Sequence, residues 1–474
     1  MPDNFFLSLD FLSTLFVFLL GCIALALILL FLSDRFYSKN AIRRNYPILA
    51  WLRPLTTELG EFYRRYIAFA DREELPFSRA MRGWVKEAAD GEKDTRGFGT
   101  KISFTERPFY FRNAAIPLNQ DEAEDTPLLT IGPFCQHSYT PPSFFNMSAM
   151  SFGSLSAPAI EALSMGTELA GCWLNTGEGG LAPYHLKGNP DIVFEIGTAK
   201  YGVRDKDGNL CEDKLRELAA LPQIKMFELK LSQGAKPGKG GVLPAGKVTE
   251  EIAKIRNIPQ GEDSISPNRH DEVANIVQLL DFIEYLRNIT GKPVGFKTAL
   301  GDPDWIKELC EEITARGEQS APDFITIDGA EGGTGASPMT LMDHSAMSIR
   351  KALPQTAEIL EKYDLKGRIP LIASGKLVSA GDAAWAMAAG ADYVVSARGF
   401  MFSIGCIMAM KCHTDKCPSG VATNDPDRQK AFIPNDKKEK VQNYVTRIRE
   451  QAATIAHSCG VPHVRALNAS HIGK

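Results

Sequence analysis

"DFITIDGAEGGTGAS", residues 323–337, begins as an apolar run and breaks into glycines. Taken alone it reads as a buried strand ending in an open loop, because glycine lets the backbone turn tightly and lets other groups approach it closely. The same form recurs on both sides. "PVGFKTAL" (293–300) precedes the helical "DWIKELCEEITARG" (304–317), and "IPLIASG" (369–375) precedes the alanine-rich "AGDAAWAMAAG" (380–390). "ADYVVSARG" (391–399) closes the series. Nearly continuous apolar strands alternating with helices mean parallel strands covered by helices. The pattern starts near residue 145, and roughly 300 residues of it suit an α/β fold of the (β/α)8 TIM-barrel type. A doubly wound open sheet is the competing architecture; it is weakened because no G-x-G-x-x-G follows an early strand.

In such barrels functional groups collect in the loops at the C-terminal ends of the strands, and the last two loops often hold a phosphate. Gly332 and Gly333, then Ser374 and Gly375, then Ala397 and Arg398 each follow an apolar strand. Backbone N–H groups freed by glycine approach phosphate oxygens closely, and Arg398 adds charge. Any one of these loops is explained by a tight turn; three in successive units favour a phosphate-bearing cofactor. "FELKLSQGAKPGKGGVLPAGK" (227–247) sets Lys230, Lys236, Lys239 and Lys247 among glycines and prolines. It reads as a flexible cationic loop suited to dicarboxylates or phosphates, although a solvated surface loop has the same composition. "LNTGEGG" (174–180) is a further glycine loop, with Glu178 its only charge.

"GCIMAMKCHTDKCPSGVAT" (405–423) places Cys406, Cys412 and Cys417 in a C-x5-C-x4-C spacing. Structural zinc favours short C-x2-C pairs or Cys/His sets, and His413, beside Cys412, is badly placed to join the same ion. Ordinary two- and four-iron clusters take four cysteines. Three therefore suggest a 3Fe–4S cluster, with buried free thiols the alternative.

The remaining composition is ordinary: 474 residues, 44% hydrophobic, 23% charged, formal net charge −4. That balance gives no reason to invoke nucleic acid, and nine cysteines in this length do not form the disulfide framework of a small secreted domain. The N-terminus departs from the average, since Phe11 to Leu32 carries no charge. As a helix it spans roughly 33 Å, enough for the hydrocarbon core, whereas a buried core helix would usually be shorter. Asp3 and Asp10 precede it, and Arg35, Lys39, Arg43 and Arg44 follow. A signal peptide has the opposite charge order, and the positive-inside rule puts the body in the cytoplasm as a single-pass membrane protein. The expected organisation is a short tail (1–10), a transmembrane helix (11–33), a mostly helical approach segment (34–99), the barrel with its cysteine segment (100–435) and a C-terminal helix (436–474).

Together the motifs "MSAMSFGSLS", "LNTGEGG", "LSQGAKPGKGGVLPAGKV", "EGGTGASP" and "GCIMAMKCHTDKCPSGVAT" resemble, in order, the synthase domain of the glutamate synthases. The resemblance covers roughly 100–435. With the N-terminal span and "EELPFSRAMRGWV" (73–85), the whole chain resembles the short members called FMN-binding glutamate synthase family proteins. It implies FMN and a 3Fe–4S cluster, and reduction of 2-iminoglutarate, from 2-oxoglutarate and ammonia, to L-glutamate. A ferredoxin or a reductase partner would supply electrons. By motif match Lys230, Gln233 and Lys247 would grip the substrate, with Glu178 beside it or guiding ammonia. Lys297 would lie at the flavin N1/O2 edge and Ser151 near the ring. The loops at Gly332–Gly333, Ser374–Gly375 and Ala397–Arg398 would take the phosphate, and the three cysteines would ligate the cluster.

The departures concern the substrate. The chain opens "MPDNFF" where full-length members begin with a glutaminase domain, so the resemblance implies no glutamine hydrolysis here. It has Lys239 where the family often has an acid, Asn268 and Arg269 in "ISPNRHD", and Ser374 where a glycine is usual. Two other functions compete: a related flavin and iron–sulfur oxidoreductase acting on another amino or keto acid, such as an N-methylated glutamate, and a non-catalytic membrane redox relay.

Overall fold

The computed structural model describes residues 2–52, 56, 72–104 and 108–473. Eight parallel strands form one sheet: β1 Phe145–Met147, β2 Leu174–Asn175, β3 Ile192–Ile196, β4 Ile224–Lys230, β5 Val294–Thr298, β6 Ile325–Asp328, β7 Leu371–Ser374 and β8 Tyr393–Ser396. From β2 to β8 each pairs with the next in sequence order, and β8 pairs with β1. The ring closes where Met147 N donates to Trp173 O (3.1 Å) and Met150 N to Asn175 O (3.3 Å). Closure excludes the open doubly wound sheet.

Two strands escape a reading of apolar runs. β3 and β4 carry Glu195, Glu228 and Lys230 inside otherwise apolar segments. Side chains alternate across a strand, and here the alternation separates two cores. Val193, Met226, Phe324, Ile372 and Tyr393 form a cluster inside the barrel, while their neighbours Phe194, Phe227, Ile325, Leu371 and Val394 pack outward under the helices. Gly295 makes room for this filling, since a Cβ there would lie 2.5 Å from the Phe324 ring. A bridge between Ile131 and Tyr139, both in the inner cluster, covers the floor. There Asp323 accepts from Arg287 Nε (2.9 Å), Val294 N (2.9 Å), Cys135 Sγ (3.3 Å) and Arg368 Nη2 (3.4 Å).

The helices start where the sequence caps them. Ser156 opens Ala157–Ala170 by accepting from Ala159 N, and Ser379 with Asp382 forms a capping box at Ala380–Ala388. The C-terminal helix Lys438–Ser458 packs on Ala157–Ala170, on Ala380–Ala388 and on Arg79–Ala89 of the approach segment. Phe145, Phe400 and Tyr444 meet at ring separations of 5.6–5.9 Å, joining β1, the helix after β8 and this last helix. Each such pair adds about 0.5–1.5 kcal/mol beyond its buried area. Tyr110–Phe111 pairs antiparallel with Ile472–Gly473, so a strand before the barrel is tied to the chain's end.

The N-terminal helix runs Pro2–Leu32 and continues through a wider turn, Ser33–Tyr37. Phe11–Tyr37 is long and apolar enough to cross a membrane, and no residue of Phe11–Leu32 is buried against the protein. Of the expected helical approach segment, Ala41–Asn45 and Arg79–Ala89 are helical, while positions 53–55 and 57–71 lie outside the described residues.

Candidate active site

At the C-terminal ends of the strands the inward positions change from apolar to charged. Glu195 on β3 is in register with Glu228 on β4, and Lys230 on β4 with Lys297 on β5. Like charges side by side in a sheet repel; the two pairs, offset by two residues, neutralise each other. Lys297 bonds Glu195 and lies 3.8 Å from Glu228. Lys230 reaches Glu178 at 2.9 Å and Glu195 at 3.9 Å, and Lys236 stands 3.7 Å from Glu178. All are buried or nearly so, except that Glu178 is partly open at the mouth.

Burial sets the protonation states. It pushes the Glu228 carboxyl up to about 7, with Lys297 pulling it back and Glu195 pushing it further. For Glu178 burial also pushes upward, but Lys230 and Lys236 win and hold it at about 2. Burial alone would discharge Lys297; Glu195 and Glu228 instead raise it above the ordinary lysine value. Asp328 is a fourth acid close enough to act on Glu228 and Lys297, so three lysines share four carboxyl groups, of which Glu228 is the one pushed toward its neutral form.

The loops are knitted to this cluster. Gln233 accepts from Lys230 Nζ (2.9 Å) and donates Nε2–H to Gly333 O (2.5 Å). Asp328, at the end of β6, accepts from Ser374 Oγ (2.8 Å) and Gly234 N (2.7 Å). Gly332 fits only because it has no side chain: a Cβ would lie 2.6 Å from Asp328 Oδ2. Ser151 Oγ donates to Ser154 Oγ at 2.9 Å, and Gly177 packs against its backbone.

A second cationic pair sits beyond β7 and β8. Arg398 and Lys376 both stand over the Phe77 ring, 4.5 Å and 5.4 Å from its centre. Arg398 donates to the Glu331 carbonyl, and no carboxylate forms an ion pair with either cation among the described residues. Burial lowers the Arg398 guanidinium to about 10, and burial followed by repulsion from Arg398 lowers Lys376. A side chain at Gly333 would meet the guanidinium at 2.9 Å, and Gly375 adopts φ +124°, a conformation that other residues avoid. Two half-buried cations facing small, open loops fit a phosphate. Ala397 immediately precedes Arg398.

Several positions differ from expectation. The lysine-rich segment is not a flexible loop throughout: Lys230 ends a strand, Lys236 and Lys247 are buried, and only Lys239 is exposed. Lys247 does not enter the Lys230–Glu178 cluster. It donates to the carbonyls of Ser154 (3.0 Å), Cys412 (3.3 Å) and Ala422 (3.5 Å), bracing the cysteine segment. A polar cavity of about 60 Å3, room for about two waters, lies between Glu178 and Lys236 on one side and Lys247 and Cys412 on the other.

Cys406, Cys412 and Cys417 are free thiols packed at the edge of the main core. Burial pushes Cys406 up to about 12, and Cys412 and Cys417 are near enough to add to the shift. No three His, Cys, Asp or Glu side chains are grouped to hold a metal ion among the described residues. The three thiols act on one another and so share one region, and thiolate sulfur is the donor type an iron–sulfur cluster takes.

Glu195, Glu228 and Asp328 were missed in the sequence, as was His270, whose ring nitrogen lies 3.0 Å from Lys230 O. The available signal was a lone acid within an apolar strand, "DIVFEIG", "KMFELK" and "FITIDG".

A family model described as the conserved region in glutamate synthase matches residues 114–462. The glutamate synthase large subunit-like protein YerD of Bacillus subtilis (strain 168) is 39% identical, covering 94% of this chain and 93% of that one. The archaeal-type glutamate synthase [NADPH] of Thermotoga maritima is 31% identical over 68% of this chain and 60% of its own. The glutamate synthase [NADPH] large chain of Bacillus subtilis is 30% identical over 74% of this chain. The chain spans nearly all of the first relative but only 60% and 21% of the other two. Among solved structures, a mutant flavocytochrome b2 with pyruvate bound covers 91% of both chains at 11% identity, with a TM-score of 0.48, too low to add to the topology.

Proposed function

The chain belongs to the glutamate synthase family, and from that premise we propose that it is a membrane-anchored oxidoreductase that reduces 2-iminoglutarate, formed from 2-oxoglutarate and ammonia, to L-glutamate. The observation that carries this reading is the buried group of Lys230, Lys297, Glu195 and Glu228 at the C-terminal ends of adjacent strands. When bound, FMN would supply the hydride and a 3Fe–4S cluster the electrons, one at a time.

The chain's own residues divide the remaining work. Arg398 and Lys376 would hold the phosphate, with Gly333 and Gly375 allowing its close approach. Lys297, kept charged by two carboxylates, would offset negative charge that develops beside it. Lys230 and Gln233, already joined, would take the dicarboxylate and orient its imine carbon, with Glu178 ordering both lysines. Cys406, Cys412 and Cys417 would hold the cluster, and Lys247 would keep their segment against the barrel. A ferredoxin or reductase would deliver electrons. Phe11–Tyr37 would cross the bilayer, with Arg35, Lys39, Arg43 and Arg44 holding the body on the cytoplasmic side.

The test uses the full chain, purified anaerobically in detergent. Reduced flavin should reoxidise rapidly only when 2-oxoglutarate and ammonium are both added, with glutamate as product. Failure to reoxidise with cofactors demonstrably bound would sink the substrate assignment. Lys230→Ala should raise the 2-oxoglutarate concentration required and leave flavin content unchanged.

A further inference from the structure

Beyond the end of the N-terminal helix the chain folds back on itself. Asp34, buried in the helix's last turn, accepts from Ile48 N (3.0 Å) and Trp51 Nε1 (2.8 Å), and Arg35 Nη1 donates to Arg44 O (3.0 Å). The knuckle so formed exposes Phe36, Tyr37, Tyr46, Leu49, Trp51 and Leu52. Arg43 stacks 3.9 Å over the Trp51 ring. Aromatic rings mixed with arginine at the end of an apolar span are the composition of a membrane–water interface.

The knuckle is joined directly to the cysteine segment. Asn45 Nδ2 donates to Pro418 O (3.3 Å) and Arg428 O (3.4 Å), and Arg428 donates to the Tyr46 hydroxyl at 3.1 Å. Pro418 follows Cys417. Arg82 of the approach segment holds Ile407 O, next to Cys406. On the same segment Met410 is 62% exposed, and Lys411, Lys416 and, further along, Lys430 are exposed, while Asp415 is half-buried and accepts from Asn424 N at 2.7 Å. Asp427, exposed beside them, is paired with Lys430 at 2.9 Å.

We propose that the loop at 405–416 is a second membrane-contact surface, seated by the knuckle on the anionic lipid face from which the helix emerges. Met410 enters the headgroup layer, and Lys411 and Lys416 meet anionic headgroups. The hydrogen bonds between Asn45 and the segment fix the loop's height at the helix exit, and its charge complements an anionic surface. The cysteine segment thereby lies at the bilayer. The inference rests on the N-terminal helix crossing the membrane.

The test places the full chain in vesicles containing lipids that carry a quenching nitroxide near the headgroup or deep in the acyl chain. Met410→Trp should gain fluorescence over the parent chain that the shallow quencher removes in phosphatidylglycerol vesicles, and much less in phosphatidylcholine alone. Leu20→Trp, within the helix, should respond to the deep quencher in both. If Leu20→Trp is quenched and Met410→Trp is not, the loop faces water and this proposal fails while the anchor stands. If neither is quenched, the anchor reading fails first. Equal shallow quenching in both lipids would overturn the headgroup pairing. Amide exchange of the unsubstituted chain over 405–416 should slow in anionic vesicles; an unchanged rate counts against the surface independently of any substitution.

Discussion

At the floor of the barrel Asp323 gathers Arg287, Arg368, a backbone N–H and the Cys135 thiol; at the mouth, Glu178, Glu195 and Glu228 share Lys230, Lys236 and Lys297. Both groups are buried, yet they differ in how their oxygens are used. Asp323 meets four donors, three on Oδ2 and one on Oδ1. Glu228 keeps Oε1 without a hydrogen bond and is held near half protonation. Burying charge is costly unless it is fully paired. The floor comes close to that demand: Asp323 takes donors on both oxygens, and Arg368 Nη1 is left without a partner. The mouth meets it incompletely, and the remainder is available to a ligand.

The comparison breaks first at the floor. Asp323→Ala would strand two buried guanidinium groups and should cost about 3–5 kcal/mol of stability, read as a lower denaturant midpoint. Turnover per folded molecule should stay near the parent's. Equal loss of turnover in the folded fraction would mean the floor is coupled to the mouth.

Lys297→Met should act in the opposite sense on activity. Single-turnover reduction should fall by about 10²–10³, the usual loss for one preorganised charge, with flavin retained through Arg398 and Lys376. Loss of flavin together with rate would assign Lys297 to binding.

Glu228→Gln sharpens the contrast through pH. A carboxyl raised from 4.5 to about 7 binds its proton more tightly in the folded chain. Its contribution to stability is fully present below pH 4.5 and is lost as pH rises to about 7. The variant should lack that downward slope. Glu178, lowered to about 2, has the opposite sign: its contribution is present above 4.5 and is lost as pH falls to about 2. Buried His185 and His270, lowered to about 4, add an opposite slope in both chains, so the parent-minus-variant difference is the readout, and a difference flat from pH 5 to 7 would refute the raised Glu228. The smallest effect belongs to Lys239→Ala: this side chain is exposed and outside both groups, so melting and turnover should be unchanged.

The same two ends explain what the sequence disclosed. Strands β5 to β8 were legible because each largely apolar run gives way within three residues to a glycine. β3 and β4 were obscured because the charges of the mouth stand inside them, and a lysine at a strand's end looks, in sequence, like the start of a polar loop. Arg398 and its glycines were visible as a pattern, but Lys376 became significant only when Phe77, some three hundred positions earlier, was found between them. The setting of Lys247 was hidden for a similar reason. Its partners at Ser154, Cys412 and Ala422 come from distant parts of the chain, and nothing local announces that carbonyls and no carboxylate await it.

The packing of helix Lys438–Ser458 on Ala157–Ala170 has a consequence in time. Residues 171–458 must be synthesised between the emergence of the two helices, about 15–60 s at roughly 5–20 residues per second. Throughout that interval the outer face of Ala157–Ala170 and the open edge of β1 have no partner. The surface made early is thus the one covered last, and misassembly of the unfinished barrel starts there.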